Sequence, residues 1–103
     1  MATELQKSVW SKLKEIPKGR VTSYKELANA LNSKGIRAVA SAVGKNPYAP
    51  NVPCHRVVRS NGEIGNYTHP QGVMRKIALL KEEGVEVGSD GIIVEFEKKL
   101  FTF

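Results

Sequence analysis

Ser23-Tyr24-Lys25-Glu26-Leu27-Ala28-Asn29-Ala30-Leu31-Asn32-Ser33-Lys34-Gly35-Ile36-Arg37-Ala38-Val39-Ala40-Ser41-Ala42-Val43-Gly44 is the stretch on which the fold turns. Ser23 and Glu26 stand at capping-box spacing and open a helix through Leu27, Ala28 and Leu31. Asn32-Ser33-Lys34-Gly35 breaks it. A second helix runs from Ile36 to Val43 and closes at Gly44. Helix, short Gly-containing turn and small-residue helix is the helix-turn-helix pattern. The second helix carries little bulk besides Arg37 and two valines, so its backbone can approach another helix or a DNA groove closely. Arg37 stands at its N-terminal end, against the helix dipole. It reads either as a solvated arginine or as a cation held for an external anionic or nucleobase partner.

Upstream, Thr3-Glu4-Leu5-Gln6 is another capping box, and Leu5, Val9, Leu13 and Ile16 recur at helical spacing. Trp10 lies beside this stripe and reads as core. Pro17-Lys18-Gly19 stops the helix. Downstream, three prolines between Lys45 and Pro53 exclude helix and predict a stiff, largely extended loop. His55 to Arg59 is strand-like, Ser60-Asn61-Gly62 is a turn, and Glu63-Ile64-Gly65 begins the return. A loop from Asn66 to Gly72 precedes a helix with Val73, Met74, Ile77 and Leu80 toward the core and Gly84 as its stop. Val85-Glu86-Val87 and Ile92-Ile93-Val94 predict a small hairpin, and Glu95 to Phe103 packs back on the body.

Sixteen Lys/Arg against ten Asp/Glu give a net charge of +6. That balance favours a polyanionic partner through phosphate neutralisation, although a merely basic surface has the same composition. No apolar run approaches a membrane span and the N-terminus lacks a signal-peptide core, so the expectation is a cytoplasmic protein without membrane contact. One cysteine excludes an internal disulfide.

That cysteine is the chemical feature, in Pro53-Cys54-His55-Arg56-Val57-Val58. A free thiol is only a few per cent thiolate at neutral pH, and a neighbouring base raises that fraction. In a regular strand adjacent side chains point to opposite faces, so Cys54 and His55 pair only if the proline breaks the regularity or a water bridges them. A carboxylate orienting the imidazole would complete a relay; several glutamates are available. Cys54, His55 and His69 match no common zinc spacing, and no metal or cofactor is expected. His69, in a loop, reads as solvated.

Pro53-Cys54-His55-Arg56-Val57-Val58, with Gly44-Lys45-Asn46-Pro47 before it and Gly65-Asn66-Tyr67 after it, resembles the O6-alkylguanine-DNA alkyltransferase family. The likeness extends to Ile16-Pro17-Lys18-Gly19-Arg20-Val21-Thr22-Ser23-Tyr24, Leu27-Ala28, Arg37-Ala38-Val39 and Leu79-Leu80-Lys81-Glu82-Glu83-Gly84. It covers roughly residues 5 to 88 in order.

The resemblance implies a mostly α fold with a small β component: a winged-helix-like helix-turn-helix domain carrying the reactive cysteine. Residues 1–103 would form a single alkyltransferase DNA-binding and active-site domain without an N-terminal ribonuclease-H-like domain. The implied activity is single-turnover DNA repair, in which Cys54 takes the alkyl group from guanine O6. His55 would be the base through a water, Glu83 would orient it, and Tyr24 would donate to the leaving guanine. Asn46 would tie the recognition helix to the cysteine loop. Arg37 would fill the gap left by the flipped nucleotide, with Ala38, Ser41, Ala42 and Lys45 on the DNA. Tyr67, Thr68 and Lys76 would line the substrate pocket. The implied partner is double-stranded DNA, met in the minor groove by a monomer. The alternative is an alkyltransferase-like lesion binder that recruits other repair factors; such proteins lack the cysteine, so Cys54 favours transfer.

Overall fold

The computed structural model describes residues 2–65, 67 and 71–103. Helix α1 spans Glu4–Leu13. Thr3 Oγ1 accepts from the Gln6 N–H at 3.1 Å, and Gln6 Oε1 accepts from the Thr3 N–H at 2.9 Å, which completes the expected box. The helix ends short of Ile16. Glu15 and Ile16 donate to carbonyls three residues back, because Pro17 disfavours α backbone in the residue before it.

Strand β1 (Thr22–Ser23) runs directly into α2 (Tyr24–Ala30), where Ser23 Oγ accepts from the Glu26 N–H at 3.0 Å. Asn32 turns the chain in the left-handed region with φ of 54°, a conformation asparagine tolerates better than most residues. Helix α3 (Ile36–Gly44) follows, packing on α1 and α2. The remaining elements are a 3-10 turn at Cys54–Arg56, β2 (Val57–Val58), α4 (Val73–Glu82) and the short α5 (Phe96–Lys99). The fold is mostly α with a small sheet, as the sequence predicts.

β1 and β2 pair in parallel, Thr22 with Val57 and Ser23 with Val58. Successive strand side chains point to opposite faces, and β2 uses this to divide two cores. Val57 joins Val9, Leu13, Leu27 and Val39, whereas Val58 joins Val21, Ile64, Leu80 and Val85. Burying each such side chain contributes about 1.5–3 kcal/mol. The other side of β1 is taken by the tail. Val21 donates to Lys99 O at 3.0 Å, and Phe101 donates back to Val21 O at 2.6 Å. Arg20 reaches the carbonyls of Lys99 and Leu100, and Thr22 Oγ1 donates to Phe101 O.

Several expectations are corrected. Of His55 to Arg59 only Val57–Val58 is strand: Arg56 donates to Pro53 O at 3.1 Å and Val57 donates to Cys54 O, winding the first residues into the 3-10 turn. The Lys45–Pro53 loop is folded rather than extended. Its prolines fix φ but do not straighten the chain, and Asn46 closes it on itself through Tyr48 N–H and Val52 O. On α4, Met74 faces outward at 80% exposure, while Lys76, Leu79 and Leu80 are buried. The expected hairpin forms but is short: Val87 bridges Ile93, flanked by Gly88 N–H to Ile92 O and Val94 N–H to Glu86 O, and Ile92 also bridges Glu63. Residues 62–64 pair with the opposite edge of this segment, through Ile93 N–H to Gly62 O and Ile64 N–H to Gly91 O, both at 2.9 Å.

Candidate active site

Cys54 opens the 3-10 turn directly ahead of β2, and is 6% exposed. With three residues per turn, neighbouring side chains on this turn stand about 120° apart rather than opposite. The turn therefore removes the objection that Cys54 and His55 must point to different faces. Cys54 borders a cavity of about 390 Å³ with Tyr24, Ala40, Ser41, Val43, Gly44, Arg59 and Tyr67. The cavity thus opens between α3 and the cysteine turn. The Cys54 thiol donates to Tyr67 Oη at 3.7 Å.

Behind the cysteine lies a charged network. His55 is 1% exposed, and its Nε2 lies 3.0 Å from Glu83 Oε2. Arg56 holds the same carboxylate as a fork, Nε to Oε1 at 2.9 Å and Nη2 to Oε2 at 2.7 Å. Its remaining nitrogen, Nη1, donates to Ile16 O at 2.7 Å. Glu83 itself caps the C-terminal end of α4. Burial alone would raise the Glu83 carboxyl; the hydrogen bonds from Arg56 and His55 outweigh it and hold the pKa below its ordinary value. Burial pushes the His55 imidazole down against the opposing pull of Glu83. A neutral imidazole beside an ionised carboxylate donates through Nε2. That assigns the lone pair to Nδ1, a buried atom that has no hydrogen-bond partner among the described residues. The ring is thus a base held in one tautomer.

Lys76 is fully buried and donates to Ile64 O at 2.6 Å. Burial lowers its ammonium to about 8, against an upward pull from the Cys54 charge. Tyr24, half-buried, has its phenol raised by burial and by the Cys54 charge, so it remains a donor at neutral pH. The Tyr67 phenol is raised first by burial, then by Cys54 through its charge and their hydrogen bond.

Of the residues expected at DNA, Arg37, Ala38, Ser41 and Lys45 are exposed on the outer side of α3. Ala42 is not. It is 2% exposed among the core residues, and its carbonyl accepts from Trp10 Nε1 at 2.8 Å. Three residues after Val39, it shares the inward face of the helix. Trp10 packs against the core, in line with the reading of its stripe. Asn46 Nδ2 donates to Val52 O at 2.7 Å, linking the end of α3 to the segment entering Pro53-Cys54. Tyr67 lines the cavity, whereas Lys76, expected there, is buried outside its lining with its ammonium on Ile64 O; Thr68 and His69 lie outside the described residues. Sequence reasoning missed Arg59 and the α3 wall formed by Ala40, Val43 and Gly44. Strand periodicity carried the signal for Arg59, two residues beyond Val57 and hence on the face of the Cys54 core.

The sequence pattern of the 6-O-methylguanine DNA methyltransferase DNA binding domain matches residues 4–85. The chain belongs to this family. Relatives include a methylated-DNA–protein-cysteine methyltransferase of Methanosarcina acetivorans, 51% identical over 80% of this chain and 52% of that protein. Another of the same name, from Candida glabrata, is 46% identical over 81% of this chain and 40% of its own length. The chain therefore spans about half or less of these curated relatives. Among solved structures, Mycobacterium tuberculosis OGT in complex with DNA matches with a TM-score of 0.75 and 42% identity, covering 81% of this chain and 51% of that one. S. pombe Atl1 in complex with damaged DNA containing O6-carboxymethylguanine matches over 100% of both chains, with a TM-score of 0.81 and 28% identity. No described helix is long and apolar enough to cross a membrane.

Proposed function

We propose that this chain repairs DNA by moving an alkyl group from guanine O6 onto Cys54, once per molecule. The observation that carries the reading is a thiol on the wall of a base-sized cavity, backed by a neutral histidine that Glu83 and Arg56 hold in place. His55 Nδ1 takes the thiol proton through a bridging water. The thiolate attacks the alkyl carbon, a C–S bond forms and the C–O6 bond breaks. Tyr24 supplies a hydrogen bond or proton to the departing guanine. The thioether is stable, so the protein acts stoichiometrically.

Such chemistry requires the base to leave the stack, at a cost of a few kcal/mol. In this proposal α2 and α3 act as a helix-turn-helix in the minor groove, where little sequence information is available and none is needed. Arg37 fills the space of the extruded nucleotide, and Ala38, Ser41 and Lys45 allow close approach to the backbone. The protein works as a cytoplasmic monomer, as one domain over residues 1–103.

Incubation with a duplex carrying O6-methylguanine, followed by mass analysis of the Cys54 peptide, tests this reading. It predicts the gain of one methyl group per protein molecule and a duplex left with plain guanine. A second reading, lesion binding without transfer, is favoured by the end-to-end likeness to Atl1. Tight binding with the alkyl group still on the DNA would establish that reading instead.

A further inference from the structure

Arg59 is the one charged residue on the cavity wall among the described residues, and nothing in the transfer chemistry uses it. Its contrast with Arg56 is informative. Arg56 makes three hydrogen bonds of 2.7–2.9 Å and is held in the core. Among the described residues the Arg59 guanidinium has a single ion pair, Nη1 to Glu63 Oε2 at 3.7 Å, between side chains that are 55% and 46% exposed. An exposed pair of that length contributes little. Glu63 is also engaged elsewhere, because its Oε1 accepts from Asn61 Nδ2 at 2.8 Å. Arg59 is free to change partner at small cost.

Its placement says which partner. Around the position that a Cβ on Gly65 would take, Arg59 Nε stands at 3.9 Å and the buried Lys76 Nζ at 3.8 Å. The side chain therefore runs beside the buried Lys76 ammonium, and Arg59 and Cys54 line the same cavity. In the alkyl-transfer reading the substituent on guanine O6 lies at the sulfur, within the cavity that Arg59 lines.

Resting on the alkyl-transfer reading, we infer that Arg59 selects O6 adducts that end in an anionic group, with carboxymethyl as the type case. The guanidinium receives the carboxylate as a fork, the geometry in which arginine binds carboxylates best. The methylene carbon is then presented to Cys54. Transfer forms the S–CH2 bond, breaks the CH2–O6 bond, returns the electron pair to the guanine, which takes up a proton, and leaves S-carboxymethylcysteine.

The test compares duplexes carrying O6-carboxymethylguanine and its neutral carbamoylmethyl analogue, by single-turnover transfer rate and by equilibrium binding, for the wild type, Arg59→Gln and Arg59→Lys. The acid-to-amide ratio should fall about tenfold in Arg59→Gln, the effect of losing one partly exposed charge-assisted hydrogen bond. Arg59→Lys should retain most of it. An unchanged ratio overturns the inference, including the case where both substrates weaken together, as loss of a phosphate contact would produce. Should the wild type transfer neither group, the alkyl-transfer reading fails, while the same ratio in the dissociation constants still decides the role of Arg59. Melting temperatures of the variants separate misfolding from lost selectivity.

Discussion

Arg56 and Glu83 face each other as a two-pronged pair, 2.9 Å and 2.7 Å, and the carboxylate oxygen of the shorter prong also meets His55. One glutamate therefore joins three tasks: ending α4, anchoring the cysteine turn and orienting the imidazole. Because Arg56 also donates to Ile16 O, the turn is tied to the end of the first helical segment as well.

Breaking this pair should be severe. Arg56→Ala leaves a mostly buried carboxylate without its main partner, a change that typically costs about 3–5 kcal/mol. Denaturant unfolding of the variant should show that loss. Glu83→Gln keeps the shape but weakens the grip on both partners. It should slow transfer to Cys54 more than it weakens lesion binding, measured as single-turnover rate against dissociation constant.

Acid should destabilise the fold in two stages. The folded His55 takes up a proton less readily than the unfolded one, so stability falls as pH drops below about 6.5, the ordinary histidine value. The folded Glu83 holds its charge below its ordinary 4.5, so its contribution is complete above that pH and is lost as pH falls through the lower folded value. Melting temperature against pH should show both stages in the wild type. His55→Phe should remove the upper one and Glu83→Gln the lower.

Lys76 makes the opposite end of the range informative. Its folded value of about 8 lies below the ordinary 10.5, so between the two the unfolded chain binds more protons and stability rises with pH. Lys76→Met should flatten the rise. A melting series from pH 7.5 to 10.5 checks it, and an equal slope in both proteins would contradict the placement of Lys76.

Arg37→Ala should discriminate wedge from surface charge. Loss of a group that fills the vacated stack weakens binding to the lesion more than to intact duplex, by about tenfold. A fluorescent base analogue beside the lesion reports the extrusion directly. Equal weakening of both duplexes would indicate a phosphate contact alone.

Tyr24→Phe should leave DNA affinity near the wild-type value and slow transfer about 10²-fold, the lower range for general acid assistance. Quenched-flow transfer rates and binding isotherms on the same duplex separate the two effects.

The features legible in the sequence are those set by local signals. The Thr3 box, the Ser23 cap and the Asn32-to-Gly35 break are settled within a few residues, and each appears in the structure where the pattern places it. The cysteine turn was not readable in this way, because Arg56 is secured by Ile16 and Glu83, both distant in sequence. Hydropathy placed Met74 inside and gave no reason to bury Lys76. Yet the lysine has a carbonyl to donate to, at Ile64, and the methionine falls on the outward side of α4. Ala42 failed for a related reason: a small side chain looks the same facing a groove or facing Trp10.

The tail bears on all of this from the far side of the sheet. Val21 is stitched to Lys99 and Phe101, and β1 passes that constraint to β2 and the turn before it. Changes at residues 99–103, such as an affinity tag or a protease cut, would loosen the strand ledge under the sulfur. Handles for biochemistry are better placed ahead of Thr3, where the helix cap closes locally.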